Sequence, residues 1–248
     1  LKTEILYGIH PVTEALRAAK RTIYELYLSS GGGSGQFRHL CDQARNLGVP
    51  ITELSKEKIQ THTGTRAHQG VAARVSGYPI SNLSDLTQPS APLDMPPFLL
   101  LLDGVLDPNN LGAMARTALC AGVNGIVISK DRSAGPTPAA SKVSAGALEH
   151  LPVVRVTNMV RLMGQLKQEG FWIWGLERED GSCLYECDLT GPIALVIGGE
   201  EKGMRPLVKK HCDRLIAIPQ TGPLNSLNAS VAGAVAIYEV VRQRGHRT

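Results

Sequence analysis

Cysteine is scarce and unpaired in this chain of 248 residues: there are five, an odd number, and only Cys183 and Cys187 lie close together. No second pair completes a zinc site, so no metal is expected and the five read as reduced thiols. No apolar run approaches the ~20 residues of a membrane span, and no cationic and apolar signal stretch opens the chain. A cytoplasmic, reducing location with no membrane contact is the expectation. A strong charge of one sign is missing too, since 26 Lys and Arg against 22 Asp and Glu leave +4. That mild excess permits a nucleic-acid partner through phosphate attraction without requiring one. Two nucleotide fingerprints are also absent. A phosphate-binding loop ending at Gly203 needs Lys and then Ser or Thr, where Met204 and Arg205 stand, and a dinucleotide fingerprint needs Gly at 200, where Glu stands.

What is present is a repeated β/α pattern in two parts. Residues 1–76 read as a small α/β unit: a helix over Val12 to Ala19 with Pro11 in its first turn, a strand over Ile23 to Leu28, and a helix from Gln36 to Leu47 ended by Gly48. Further elements are expected near Ile51 to Leu54, Lys56 to Gln60 and Val71 to Val75. Gly31 to Gly35 read as a flexible surface loop, because no Lys-Ser or Lys-Thr follows. In the polar loop 63–70, Arg66 and His68 are read equally well as RNA contacts or as part of a solvated connector. Residues 77–97, with Pro79, Pro89, Pro92, Pro96 and Pro97, form a linker.

Residues 98–248 open on Phe98 to Leu102, a continuous apolar run of the kind found in parallel strands covered on both faces. Strands near 125–129, 153–156, 171–176, 193–197 and 215–218 follow. Helices are expected near 111–121, 137–148, 159–169, 206–211 and 226–244. Such alternation gives a mostly parallel sheet with ligands at the C-terminal strand ends. Three loops lie there. Asp103 to Gly112 leads into a helix carrying Asn110 near its start and Arg116 six residues on, an amide and a planar cationic fork suited to phosphate. Read alone, that loop is equally an Asn cap followed by a solvated Arg. Gly198 to Gly203 offers close backbone approach beside the carboxylate of Glu200. Ile218 to Gly222 presents backbone groups ahead of a small-residue helix opened by Ser226, with Leu227, Val231, Val235 and Tyr238 as its core stripe. An adenosine bearing a sulfonium suits such a site, although these residues do not force it.

Together the blocks Asn110 to Arg116 (N-L-G-A-M-A-R), Gly198 to Gly203 (G-G-E-E-K-G), Ile218 with Ser226 to Ala232 (S-L-N-A-S-V-A), and Ser141 to Pro152 resemble the SpoU/TrmH family of SPOUT 2′-O-ribose RNA methyltransferases. The N-terminal part, with Tyr7, Gly8, Pro11, Val12 and His68 to Gly70, resembles the L30e-like substrate-binding domain of the subgroup that methylates a guanosine of large-subunit (23S) ribosomal RNA. The resemblance implies a trefoil knot, bound S-adenosylmethionine, and a homodimer with its active site at the subunit interface. It implies Asn110, Arg116, Glu200 and Asn228 as the catalytic set. Gly198, Ile218 and Leu227, with Gly199 and Gly203, would form the cofactor wall. Gly199 replaces a frequent Asn, and Glu201 a frequent Gly. A guanidinium is a poor base, so Arg116 is expected to clamp phosphate and stabilise the alkoxide, oriented by Glu200 and Asn228. Methylation of transfer RNA and a noncatalytic RNA-binding module are the alternatives.

Overall fold

The computed structural model describes residues 3–30, 35–87, 95–178, 181–223 and 226–245. The glycine-rich stretch Gly31 to Ser34, the middle of the Pro-rich stretch, and Leu224 and Asn225 lie outside them. The chain divides into two compact units, the first combining Leu1–Pro79 with Pro136–His150, the second Ile80–Gly135 with Leu151–Thr248.

In the first unit β1 (Thr3–Tyr7), α1 (Ile9–Ala18), β2 (Ile23–Ser29), α2 (Gly35–Asn46), β3 (Ile51–Leu54), α3 (Lys56–Thr63) and β4 (Val71–Ser76) follow one another. The sheet order is β1-β4-β2-β3, with β4 antiparallel to both neighbours and β2 parallel to β3. Leu6, Leu26 and Val75 from the sheet pack with Val12 and Leu16 of α1 and Leu40 of α2 in one apolar cluster. Ser55 caps α3 by accepting a hydrogen bond from Lys58 N, and Gly64 ends it in the left-handed region.

The second unit begins with α4 (Ser84–Thr87), which falls inside the expected linker. Its Leu86 is fully buried, and a Cβ on Gly125 would lie 2.2 Å from Leu86 Cδ2, so this part of the stretch is docked rather than a free tether. Then come β5 (Phe98–Asp103), α5 (Pro108–Cys120) and β6 (Gly125–Ser129). α6 (Pro138–Val143) and a 3-10 turn (Ala147–Glu149) belong to the first unit. β7 (Val153–Val156), α7 (Met159–Gln168), β8 (Trp172–Glu177), β9 (Ser182–Cys183), β10 (Ile193–Gly198), α8 (Pro206–His211), β11 (Arg214–Ala217) and α9 (Ala229–Gln243) complete the second unit. Its seven strands run in the order β7-β6-β5-β10-β8-β11-β9, and the pairs between them are parallel. Alternation places Leu99, Leu101 and Ile173 in one core cluster with Met163 and Leu166 of α7 and Val208 of α8. The other face meets α5 and α9: a Cβ on Gly233 of α9 would sit 2.7 Å from Ile197 Cδ1 and 3.4 Å from Met114 Sδ.

Three expectations change. The helix expected over 137–148 stops at Val143, because Ala145 and Gly146 adopt positive φ. α9 starts at Ala229 with Asn228 as its cap, not at Ser226, since Asn228 Oδ1 accepts from Ser230 N (2.9 Å) and Val231 N (3.4 Å). The expected core stripe of that helix faces outward: Val231 is 49% exposed and Tyr238 50%, while Gly233, Ala236, Ile237 and Val240 are buried. Small residues on one face let α9 lie close to the sheet and leave its larger apolar side chains outside.

The first unit is tied together by buried charge. Arg21 donates to Glu4 Oε2 (2.5 Å), to Ser76 O (2.7 Å) and to Glu149 Oε1 (3.4 Å), and Ser141 Oγ donates to the same Glu149 oxygen (2.8 Å). Burial holds the Glu149 carboxyl above the usual carboxylate range, with Arg21 opposing that rise. Removing one partner of a buried pair costs far more than an exposed pair is worth. Arg21→Met is therefore expected to lower unfolding free energy by ~3–5 kcal/mol. A group whose folded pKa is raised favours the fold while protonated and loses that contribution as pH rises. The deficit should then be smallest in acid and grow toward neutral pH, as denaturant titrations at several pH values will show.

Candidate active site

Seven parallel strands end on one side, and residues leaving β8, β10 and β11 there line a cleft whose empty space, part of it open to solvent, is about 580 Å³. Gly198, Gly199, Glu200, Gly203, Ile218 and Leu227 all line it.

The glycines are fixed by close approach. A Cβ on Gly198 would lie 2.2 Å from Gly203 C and Met204 N, and one on Gly199 would lie 2.2 Å from Gly104 O. Gly203 N donates to Gly199 O (3.0 Å) and Gly199 N to Asp103 O (3.0 Å), so the loop folds back on itself against the end of β5. Gly199 thus has a packing reason of its own to be glycine, and Glu201 is exposed, away from the cleft lining.

Glu200 links the first two loops. Its Oε1 accepts from Asn110 Nδ2 at 2.7 Å, and its carbonyl accepts from Arg178 at 3.3 Å. Asn110 is buried at the start of α5, where Asp107 caps the helix by accepting from Asn109 N (2.9 Å) and Pro108 occupies the first turn. Glu200 holds Asn110, and Asn228 Oδ1 is engaged at the N-terminus of α9. Arg116 and Asn228 are exposed and do not line the cleft.

Several contributors had no motif. Glu177, Arg178 and Gln220 line the cleft, and the first two could have been found as the end of β8, where the parallel-sheet rule puts ligands. Asp103, fully buried, accepts from Arg205 N (2.8 Å) and Nε (2.7 Å), while Arg205 also donates to Ser129 Oγ (3.0 Å). This network pins the glycine loop across β5 and β6.

In the first unit Arg66 is exposed, whereas His68 is buried and its Nδ1 accepts from Gly70 N at 3.0 Å. Burial lowers the His68 pKa, with Lys56 adding to the effect. Its ring holds the turn before β4. Among the described residues no cluster of three His, Cys, Asp or Glu is arranged to hold a metal, and no helix is long and apolar enough to cross a membrane.

A cleft at the C-terminal ends of a parallel sheet, with an apolar wall, carboxylates and no phosphate cradle, defines an α/β enzyme with a nucleoside-type cofactor. The chain belongs to the SpoU rRNA methylase family, whose model matches residues 97–238, and residues 5–81 match the RNA 2′-O ribose methyltransferase substrate-binding domain. It is 42% identical over 243 residues to the 23S rRNA (guanosine-2′-O-)-methyltransferase RlmB of Shewanella oneidensis, covering 98% of each chain. It is 41% identical to the RlmB of Escherichia coli K12 over 98% of this chain and 99% of that one. The crystal structure of the SpoU methyltransferase AviRb from Streptomyces viridochromogenes in complex with AdoMet superposes with a TM-score of 0.81 at 25% identity, covering 97% of this chain and 89% of that one.

Proposed function

We propose that this chain transfers a methyl group from S-adenosylmethionine to the ribose 2′-hydroxyl of a guanosine in 23S ribosomal RNA. One observation carries the reading: all five residues expected to form the cofactor wall, together with Glu200, converge on one cleft in a member of an rRNA methylase family.

The cleft suits that cofactor. Ile197, Ile218 and Leu227 offer apolar surface to an adenosine, and the carboxylates of Glu177 and Glu200 favour a positive sulfonium. Bound there, S-adenosylmethionine supplies a methyl group activated by the sulfonium charge. Asn110, fixed by Glu200, positions the ribose at the start of α5. Arg116 presents a fork of donors to an RNA phosphate and to the alkoxide as charge develops on it. A guanidinium stays protonated, which leaves solvent to take the hydroxyl proton. Asn228 keeps its amide donor for the ribose while its oxygen serves the helix cap. Exposed Arg66, with Lys56 and Lys58 at the start of α3, is the RNA contact of the first unit.

The working form is a homodimer. Leu119 lies one turn beyond Arg116 on α5, and with Val231 and Tyr238 of α9, which packs on α5, it presents exposed apolar surface on this helix pair. A second copy covers that face, bringing Arg116 into an enclosed site. The segments around Gly198 to Gly203 and around Ile218, Gln220 and Leu227, which line the cleft, are those a trefoil knot would thread. Tyr238→Asp is expected to weaken the dimer by ~2 kcal/mol or more per copy and to reduce turnover in parallel. Sedimentation velocity reads the first effect, and a variant that is monomeric but fully active would sink this part.

The reading as a whole is tested by transfer of labelled methyl to unmethylated 23S rRNA and to bulk transfer RNA. Label should enter 23S rRNA. Label in transfer RNA alone would move the substrate, and none in either would leave only an RNA-binding module.

A further inference from the structure

A second cavity lies at the opposite ends of the strands that form the cleft. Its empty space, part of it open solvent, is about 710 Å³, and it is lined by Trp172, Trp174, Asp188, Thr190, Ile193 and Arg214. Trp172 opens β8 and Ile193 opens β10, and the two are register partners; Arg214 opens β11 and is the partner of Trp174. The cleft is lined by Leu176 and Ile197 of the same strands. At ~3.3 Å per residue, Trp172 is ~13 Å along β8 from Leu176, so the two sites are separate.

Four groups in this cavity have no role in the cleft. Trp172 is 53% exposed, a flat aromatic surface in the open. Trp174 is only 8% exposed, yet its indole Nε1 has no hydrogen-bond partner among the described residues. Asp188 Oδ1 accepts from Thr190 N (3.0 Å) and Thr190 Oγ (2.6 Å), bonds that hold the carboxyl below its ordinary range and leave its second oxygen to accept. Arg214 is exposed and has no ion pair among the described residues.

We propose that this cavity is a second binding site, for a guanine nucleotide. The base stacks on Trp172, its N1–H and amino group donate to the second oxygen of Asp188, and its phosphate meets Arg214. A purine without that pair of donors matches the carboxylate poorly. The same chemistry is offered by a free guanine nucleotide and by a guanosine within an RNA strand. Binding here does not depend on methyl transfer in the cleft.

Trp172 and Trp174 are the chain's only tryptophans, so intrinsic fluorescence reports on this cavity. The full chain, with S-adenosylhomocysteine present to fill the cleft, is titrated with GMP, AMP, inorganic phosphate and a short single-stranded RNA containing one guanosine. GMP should quench saturably, AMP should bind ~10-fold more weakly or worse, and phosphate alone should do nothing. Asp188→Asn, a change on an exposed side chain, should abolish the preference for GMP over AMP while leaving the fold intact by circular dichroism. Arg214→Ala should weaken GMP but not guanosine. Tighter binding of the RNA than of GMP assigns the site to a strand, and the reverse assigns it to the free nucleotide. Absence of saturable quenching by both GMP and the RNA would overturn the proposal, as would equal responses to GMP and AMP that Asp188→Asn leaves unchanged.

Discussion

Arg116→Lys is expected to lower turnover by ~10-fold to 100-fold at every pH at which the enzyme is stable, with no recovery in alkali, and Arg116→Ala by ~1,000-fold. Arg116 is on the exposed face of α5, outside the cleft lining and without a carboxylate partner among the described residues. In the role proposed for it, its planar fork would span a phosphate and the developing alkoxide, which an ammonium matches only as a point charge. The pH profile separates this from proton abstraction. If a base were required, lysine would supply one as it deprotonates, and activity would climb with pH. A Lys variant with substantial, pH-rising turnover would remove the clamp from the mechanism.

A second large effect is expected at Gly198. An added Cβ would meet the backbone of Gly203 and Met204 at 2.2 Å, and backbone cannot rotate aside as a side-chain tip can. Gly198→Ala should force the glycine loop away from the end of β10, weakening S-adenosylhomocysteine binding by ~100-fold and destabilising the second unit by ~1–3 kcal/mol. Gly222 is the control, since a Cβ there has open space within 4 Å, and Gly222→Ala should bind nearly as well as the parent. Calorimetric titration of both variants decides the point, and unchanged affinity in Gly198→Ala would mean that the loop does not form the cofactor wall.

Much of the second unit was legible because parallel strands buried on both faces read as unbroken apolar runs, as Phe98 to Leu102 and Ile193 to Ile197 do. The strand-end rule then placed the three loops on one side, and the cleft gathers two of them directly and the third through Asn110 and Glu200. Other features had no local signal. β9 is two residues long, too short for periodicity. Arg21 and Glu149 are 128 positions apart, so nothing in either neighbourhood announces that Pro136–His150 packs with the N-terminal unit. On α9 two apolar stripes compete, and a period of 3.6 cannot tell which one meets the sheet; the small residues won because they allow closer approach. Ser226 and Asn228 are both good caps, and only the hydrogen bonds to Ser230 and Val231 select Asn228. A polar loop gives no sign that the His68 ring is folded under to accept from Gly70.

The most direct measurement is the chemical position of the transferred methyl group. Unmethylated 23S rRNA is incubated with the protein and S-adenosylmethionine carrying a labelled methyl, then hydrolysed in alkali. A 2′-O-methyl blocks cleavage at its own phosphodiester, so the label is expected in a single alkali-resistant dinucleotide whose 5′ residue is guanosine. Label in mononucleotides, on a base rather than a ribose, would contradict the function proposed for the cleft.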